Sequence, residues 1–181
     1  MSRVIARTRR LVLDELSPVR DQAFVVQLLN EPAFLHNIGD RGVRDPESAV
    51  VYIGHQLASY RDNGFGLWRM SERAGGQSLG ICGLVRRQGL SLPDVGYAVL
   101  QATSSQGYAT EAAAATVAYA RDQLGLDRVA AVTKPHNVAS QRVLLKLGFV
   151  PGGLIDLPDI AEPNSYFTLE LAGPKASQDR L

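Results

Sequence analysis

The stretch Val95-Gly-Tyr-Ala-Val-Leu-Gln-Ala-Thr-Ser-Ser-Gln-Gly-Tyr-Ala-Thr-Glu-Ala112 decides how the rest of the chain is arranged. It opens as an apolar run rich in β-formers, passes through small and polar residues, and continues as an alanine-rich segment. That order predicts a strand, a tight loop and a helix. Gly107 falls where the loop meets the helix, and without a Cβ it lets the backbone turn there. The N–H groups of the first helical turn have no partner inside the helix, so they face the loop as a cradle suited to an anion. Ala109, Ala112, Ala113, Thr116 and Ala120 recur at helical spacing, a face of small residues that lets the helix approach a sheet closely. An ordinary crossover whose glycine serves only the turn would read the same way. No Gly-Lys-Ser/Thr follows, which speaks against a Walker-type phosphate loop, and a single glycine does not make the dinucleotide fingerprint.

With 181 residues, 45% of them hydrophobic and 20% charged, the chain can bury one sizeable core. We expect a single domain over residues 1–172 and a frayed, weakly apolar tail over 173–181. A net charge of +1 gives no reason to expect a nucleic-acid or membrane surface. Arg3, Arg7, Arg9 and Arg10 read as a solvated strand edge. No apolar run approaches the roughly 20 residues of a membrane span and no signal-peptide core follows the N-terminus, so a cytoplasmic location is expected. The single cysteine, Cys82, lies inside an apolar strand pattern and is expected to be packed, not reactive.

Along the chain, Arg10 to Asp14 predicts a first strand, and Pro18 introduces a helix ended by Asn30-Glu31-Pro32. Phe34 to Arg44 has loop composition. Asp45-Pro46 marks a capped helix start, and Asn63-Gly64 ends that helix. Phe65 to Ser71 and Leu79 to Arg86 predict a hairpin, followed by the strand, loop and helix quoted above. Val129 to Thr133 reads as a buried strand, Ser140 to Leu147 as a helix, and Phe149 to Leu157 and Tyr166 to Leu171 as final strands separated by a proline-containing turn. The expectation is an α/β (α+β) fold: a mixed, mostly antiparallel sheet of about seven strands with helices on both faces.

A second informative stretch is Pro135-His-Asn-Val-Ala-Ser140, continuing to Leu147-Gly-Phe149. Asn137 and Ser140 stand at the mouth of a helix, where either serves as a cap or meets a ligand. Six segments, taken in order, resemble the GNAT superfamily of acetyl-CoA-dependent N-acetyltransferases, in particular its RimJ/RimL-type branch of ribosomal-protein alanine acetyltransferases. They are Thr8-Arg-Arg-Leu-Val-Leu13, Leu28-Leu-Asn-Glu-Pro32, Leu79-Gly-Ile-Cys-Gly-Leu84, Val95-Gly-Tyr-Ala-Val99, Gly107-Tyr-Ala-Thr-Glu-Ala112, and Asn137-Val-Ala-Ser140 with Leu147-Gly-Phe149.

The resemblance implies acetyl-CoA as cosubstrate, no metal, and an amine acceptor: a protein N-terminus or a small amine. The pyrophosphate would lie on Ser104, Ser105, Gln106, Gly107, Tyr108, Ala109 and Thr110, where Ser104 replaces the family's Arg/Gln and Ser105 a frequent glycine. The pantetheine arm would run beside Tyr97, Ala98 and Val99, in a gap where this strand splays from Val129 to Thr133, with Asn137 on its other side. A backbone N–H at Val99 or Leu100 would polarise the thioester oxygen. The family's usual tyrosine acid is replaced by Leu144, leaving Ser140 as the catalytic candidate beside the leaving sulfur. For the base, Asp94, Glu111, His36, His55, His136 and an ordered water all stand open, with Glu111 also suited to stabilising its helix terminus. A homodimer is compatible with the resemblance. The competing reading is a GNAT-fold protein that binds CoA without catalysis, favoured by Ser104, Ser105 and Leu144. The near-neutral net charge disfavours a strongly cationic acceptor, and in the acceptor segment Phe34 to Arg44 Asp40 is the sole acid.

Overall fold

The computed structural model describes residues 2–158 and 160–171; the expected tail over 173–181 lies outside them. In chain order the elements are β1 Val4–Arg7, β2 Leu11–Asp14, α1 Gln22–Asn30, α2 Pro32–Asn37, α3 Pro46–Asn63, β3 Leu67–Glu72, β4 Ser78–Val85, β5 Asp94–Val99, α4 Tyr108–Asp122, β6 Arg128–Thr133, α5 Val138–Lys146, β7 Val150–Leu157 and β8 Ile160–Glu170. The strands form one sheet in the order β1-β2-β3-β4-β5-β6-β8-β7. Every neighbouring pair is antiparallel except β5 and β6, which are parallel.

Side-chain alternation along β4 divides the core into two layers. Cys82 and Leu84 turn to the face covered by α4 and α5, where they meet Ala112, Ala113, Ala120 and Leu144. Ile81 turns to the other face and packs with Val25, Leu28, Phe34 and Ile53 from α1, α2 and α3. The small face predicted for α4 is the buried one, with Ala112, Ala113, Thr116 and Ala120 all fully covered. Helix α3 starts and stops where its sequence says. The Asp45 carboxylate accepts from the Ser48 N–H at 2.8 Å, Pro46 opens the first turn, and Gly64 closes the helix at φ 76°.

The sheet is the mixed, mostly antiparallel one expected, with eight strands because Val4–Arg7 pairs antiparallel with β2; its short apolar run sits between arginines and gains its order from that partner. Three expectations need correction. Helix α1 begins at Gln22 and not at Pro18, after the Asp21 carboxylate has been taken up by the Ser17 N–H and the Arg20 guanidinium. Within the supposed loop Phe34 to Arg44, residues up to Asn37 belong to α2. Pro32 both ends α1, by holding Glu31 extended at ψ 139°, and supplies the first position of α2. Finally, Pro163 lies inside β8. Pairing with β6 begins at Ser165, so the missing N–H of Pro163 falls where β6 makes no ladder.

Candidate functional site

The centre of the site is a fork in the sheet. β5 is fully paired to β4, and β6 is paired to β8 along its length, but β5 and β6 are joined through a single register pair, Asp94 with Ala130. Beyond it the strands part. The Asp94 carboxylate stands at the fork: Oδ1 accepts from the Val132 N–H at 3.0 Å, and Oδ2 accepts from Arg87 at 2.7 and 3.0 Å. Burial pushes this carboxyl up to about 6 against the pull of the Arg87 guanidinium. With both oxygens occupied and the residue 1% exposed, Asp94 is a staple between the sheet halves and does not face an acceptor as a base.

Alternation fixes which backbone groups face the gap. The Leu100 N–H donates to the Leu79 carbonyl of the adjoining strand at 2.8 Å, so the N–H groups of Tyr97 and Val99 point the other way, toward β6. Of the two polarising donors expected at Val99 and Leu100, Leu100 is therefore ruled out. Ala98 shares the orientation of Leu100, and packs its side chain on the α1–α3 layer.

At the far end of β5 the chain makes a short 3₁₀ turn, Gln101–Thr103, and enters the loop before α4. Ser105 is the sole non-glycine among the described residues with positive φ, at 62°, and Gly107 follows at 80°. Ser105 thus adopts the conformation that a glycine would take at that position, at a cost of about 1 kcal/mol. Ser105 and Gly107 bend the backbone at the helix entry, and the first intrahelical bond of α4 comes only at Glu111, which leaves Tyr108, Ala109 and Thr110 as unpaired donors. Ser104, Ser105, Gly107, Tyr108, Ala109 and Thr110 all line the cleft; Gln106 does not. Its carbonyl accepts from Arg10 Nη1 at 2.9 Å, outside the cleft.

Sequence reasoning missed Arg10 as a support of this loop. Its guanidinium also pairs with Glu111 at 2.6 Å and lies over the Tyr108 ring at 4.6 Å. The position of Arg10 in the Thr8-Arg-Arg-Leu run was the available signal. Glu111, left open as a base, accepts from Thr8 Oγ1 at 2.5 Å and from the Arg10 N–H at 2.9 Å. Partial burial pushes its carboxyl up, and the Thr8 and Arg10 hydrogen bonds together hold it below the ordinary glutamate value. It ties the start of α4 to the β1–β2 turn.

Across the fork, Asn137 Oδ1 accepts from the Ser140 N–H at 3.1 Å and caps α5. This decides between the two possible caps: Asn137 has that task, and the Ser140 hydroxyl is left for another. It lies 3.0 Å from the Tyr97 phenol oxygen, which is also 3.0 Å from the Ser140 carbonyl. Tyr97 had been expected to contribute backbone alone. Burial raises its phenol, and the contact with Ser140 works against that. Leu144 is a core residue, 1% exposed. Cys82 is fully buried with its Sγ 3.3 Å from Thr116 Oγ1, and burial pushes its thiol up to about 12. His36 and His136 lie with ring centroids 4.3 Å apart and planes tilted by 36°, outside the cleft lining, whereas His55 lines it.

Cradle, gap and the α2–α3 wall make one cleft of about 1040 Å³. A mixed sheet split between two parallel strands, with helices on both faces and an amide-lined loop at the end of the split, defines an acetyltransferase fold. The family description "Acetyltransferase (GNAT) domain" matches residues 10–150, and the chain belongs to that family. It is 30% identical to the uncharacterized protein YkkB of Bacillus subtilis (strain 168) over 132 residues, 71% of this chain and 76% of YkkB. The fold superimposes on an acetyltransferase from Agrobacterium tumefaciens str. C58 with a TM-score of 0.78, at 22% identity, covering 93% of this chain and 95% of that one. RimL, the ribosomal L7/L12 alpha-N-protein acetyltransferase, superimposes with a TM-score of 0.79 at 12% identity, covering 94% and 96%. RimL has also been solved in complex with coenzyme A.

Proposed function

We propose that the chain transfers the acetyl group of acetyl-CoA to an amine by direct attack of the nitrogen on the thioester. The observation that carries this reading is the fork itself. β5 offers unpaired N–H and C=O groups to a gap that begins at the single Asp94–Ala130 pair, as an exposed strand does to an added one, and the gap leads to the unpaired amides of Tyr108 to Thr110. An extended amide-containing arm with a diphosphate at its end fits both parts.

Acetyl-CoA supplies an activated acyl group with a thiolate leaving group. The protein's own residues do the rest. The amides of Ser105 and Gly107 to Thr110 hold the diphosphate, and Asn137 keeps its side-chain N–H₂ for the arm. The Val99 N–H receives the negative charge that develops on the thioester oxygen. As the amine nitrogen bonds to the carbonyl carbon, the C–S bond breaks and the nitrogen loses a proton to water. Tyr97 donates its phenol O–H to the Ser140 carbonyl and, 3.0 Å from Ser140 Oγ, positions the serine hydroxyl, whose own proton bonds the departing sulfur. Cys82, buried and protonated, takes no acyl group. A RimJ/RimL-type choice of a protein N-terminal amine is one form of this reaction, supported by the likeness to RimL.

A second reading, CoA binding without transfer, is favoured by Leu144, buried in the core where a tyrosine acid would stand. A free-CoA release assay over a set of amines and N-terminal peptides separates the two. Amine-dependent release supports transfer; tight binding with no release from any acceptor supports the second reading.

A further inference from the structure

The acceptor end of the cleft lies on the α1–α3 face, where Phe34, Asn37, Ile38, Arg41, Tyr52 and His55 line it. Its charges are uneven once ion pairs are accounted for. Asp40, beside Arg41 in sequence, is paired with Arg44 at 2.5 Å. Of the acids in the lining, Asp62 is paired with Arg61 at 2.8 Å and Asp94 with Arg87 at 2.7 Å. Arg41 and Arg86, in contrast, line the cleft and form no ion pair with a described residue. Lys134 is turned to the His36 carbonyl at 3.0 Å. Arg142 and Lys146 stand on α5, across the sheet from α1–α3.

Tyr52 adds a second, independent feature. Its hydroxyl has no hydrogen-bond partner among the described residues, yet no buried polar side-chain atom there lacks one, so this hydroxyl is open to the cleft. Burial pushes the phenol up to about 12 while the nearby Arg41 charge draws it down. A phenol that stays protonated and a guanidinium without a partner are both donors. Their common complement is an anion. A polyamine or other polycation would need free carboxylates to hold its remaining charges, and each acid in the lining is already paired.

Resting on the acetyl-transfer reading, we infer that the acceptor amine carries an anionic group close to its nucleophile, a carboxylate or a phosphate-type group, which Arg41 and the Tyr52 hydroxyl receive at the α2–α3 end of the cleft. The inference narrows the acceptor to acidic amines such as amino acids or their phosphonate counterparts, and sets aside diamines.

The test is free-CoA release with matched acceptors: a set of amino acids, the same amino acids as carboxamides, their aminophosphonate counterparts, and diamines of similar length. The acidic members are expected to exceed the carboxamides by about ten- to a hundredfold in kcat/KM. Comparing carboxylate with phosphonate shows which anion is meant. Arg41→Gln should erase most of that preference, and Tyr52→Phe part of it, with acetyl-CoA affinity kept in both as the control for folding. Carboxamides or diamines acetylated as fast as the acidic amines would overturn this inference and leave acetyl transfer standing. A protein that binds acetyl-CoA and transfers to none of these amines would overturn this inference, and one that fails with N-terminal peptides as well would overturn acetyl transfer too.

Discussion

Ser140 and Tyr97 show how much one hydroxyl contact can decide. Because Asn137 caps α5, removing the Ser140 hydroxyl takes away a single hydrogen bond, and Ser140→Ala should cost no more than about 1 kcal/mol of stability. Its effect on turnover should be larger. Losing a donor to the departing sulfur is expected to lower kcat roughly 10- to 1,000-fold with acetyl-CoA affinity nearly unchanged, by analogy with oxyanion donors. Tyr97→Phe should lower kcat by a smaller factor, since the serine then keeps its proton but loses its orientation. Asn137→Ala, in contrast, should lower stability by about 1 kcal/mol through the cap. Steady-state kinetics beside thermal melts of the three variants check the division; full kcat in Ser140→Ala would remove the serine from the mechanism. At the loop, Gly107→Val puts a β-branched residue at φ 80°, with its Cβ 3.4 Å from Arg10 Nη2. Calorimetry should find acetyl-CoA binding strongly weakened in a variant that still folds.

At the scale of elements, the junction between the β1–β2 turn and α4 is an electrostatic one with a definite pH signature. The Glu111 carboxyl is held below the ordinary value of 4.5, so its contribution to stability is fully present above that value and is lost as the pH falls through the lowered one. Glu111→Gln should therefore be less stable than the wild type at neutral pH and should lose part of the wild type's acid-induced decline, measured by denaturant unfolding between pH 7 and pH 3. A parallel decline in both would mean that Glu111 contributes nothing through its charge. This junction also marks the limit of what the sequence shows. Gly107, the small face of α4, and the Asp45-Pro46 start of α3 follow local rules, so their elements could be read directly. The ion pair from Arg10 to Glu111 depends on a partner about a hundred residues away, and β1 takes its order from pairing with β2. The hydroxyl contact between Tyr97 and Ser140 is likewise invisible in spacing, since it requires the β5–β6 fork to be present first. The correction at Leu100 has the same origin: which N–H faces the gap depends on the register with β4.

Over the whole molecule, two paired sheet halves, β1 to β5 and β6-β8-β7, meet at one register pair and a buried carboxylate. The opening between them runs from the amide cradle on one side to the α2–α3 wall on the other. Among the described residues no helix is long and apolar enough to cross a membrane. In the function proposed above, this fork holds acetyl-CoA for transfer to an amine. The most direct measurement is amine-dependent release of free CoA by the wild type, followed beside Gly107→Val at an acetyl-CoA concentration that does not saturate the variant. Release should depend on the amine in the wild type and be largely lost in the variant. Release at equal rates from both proteins, or none from a wild type that binds acetyl-CoA, would contradict that function.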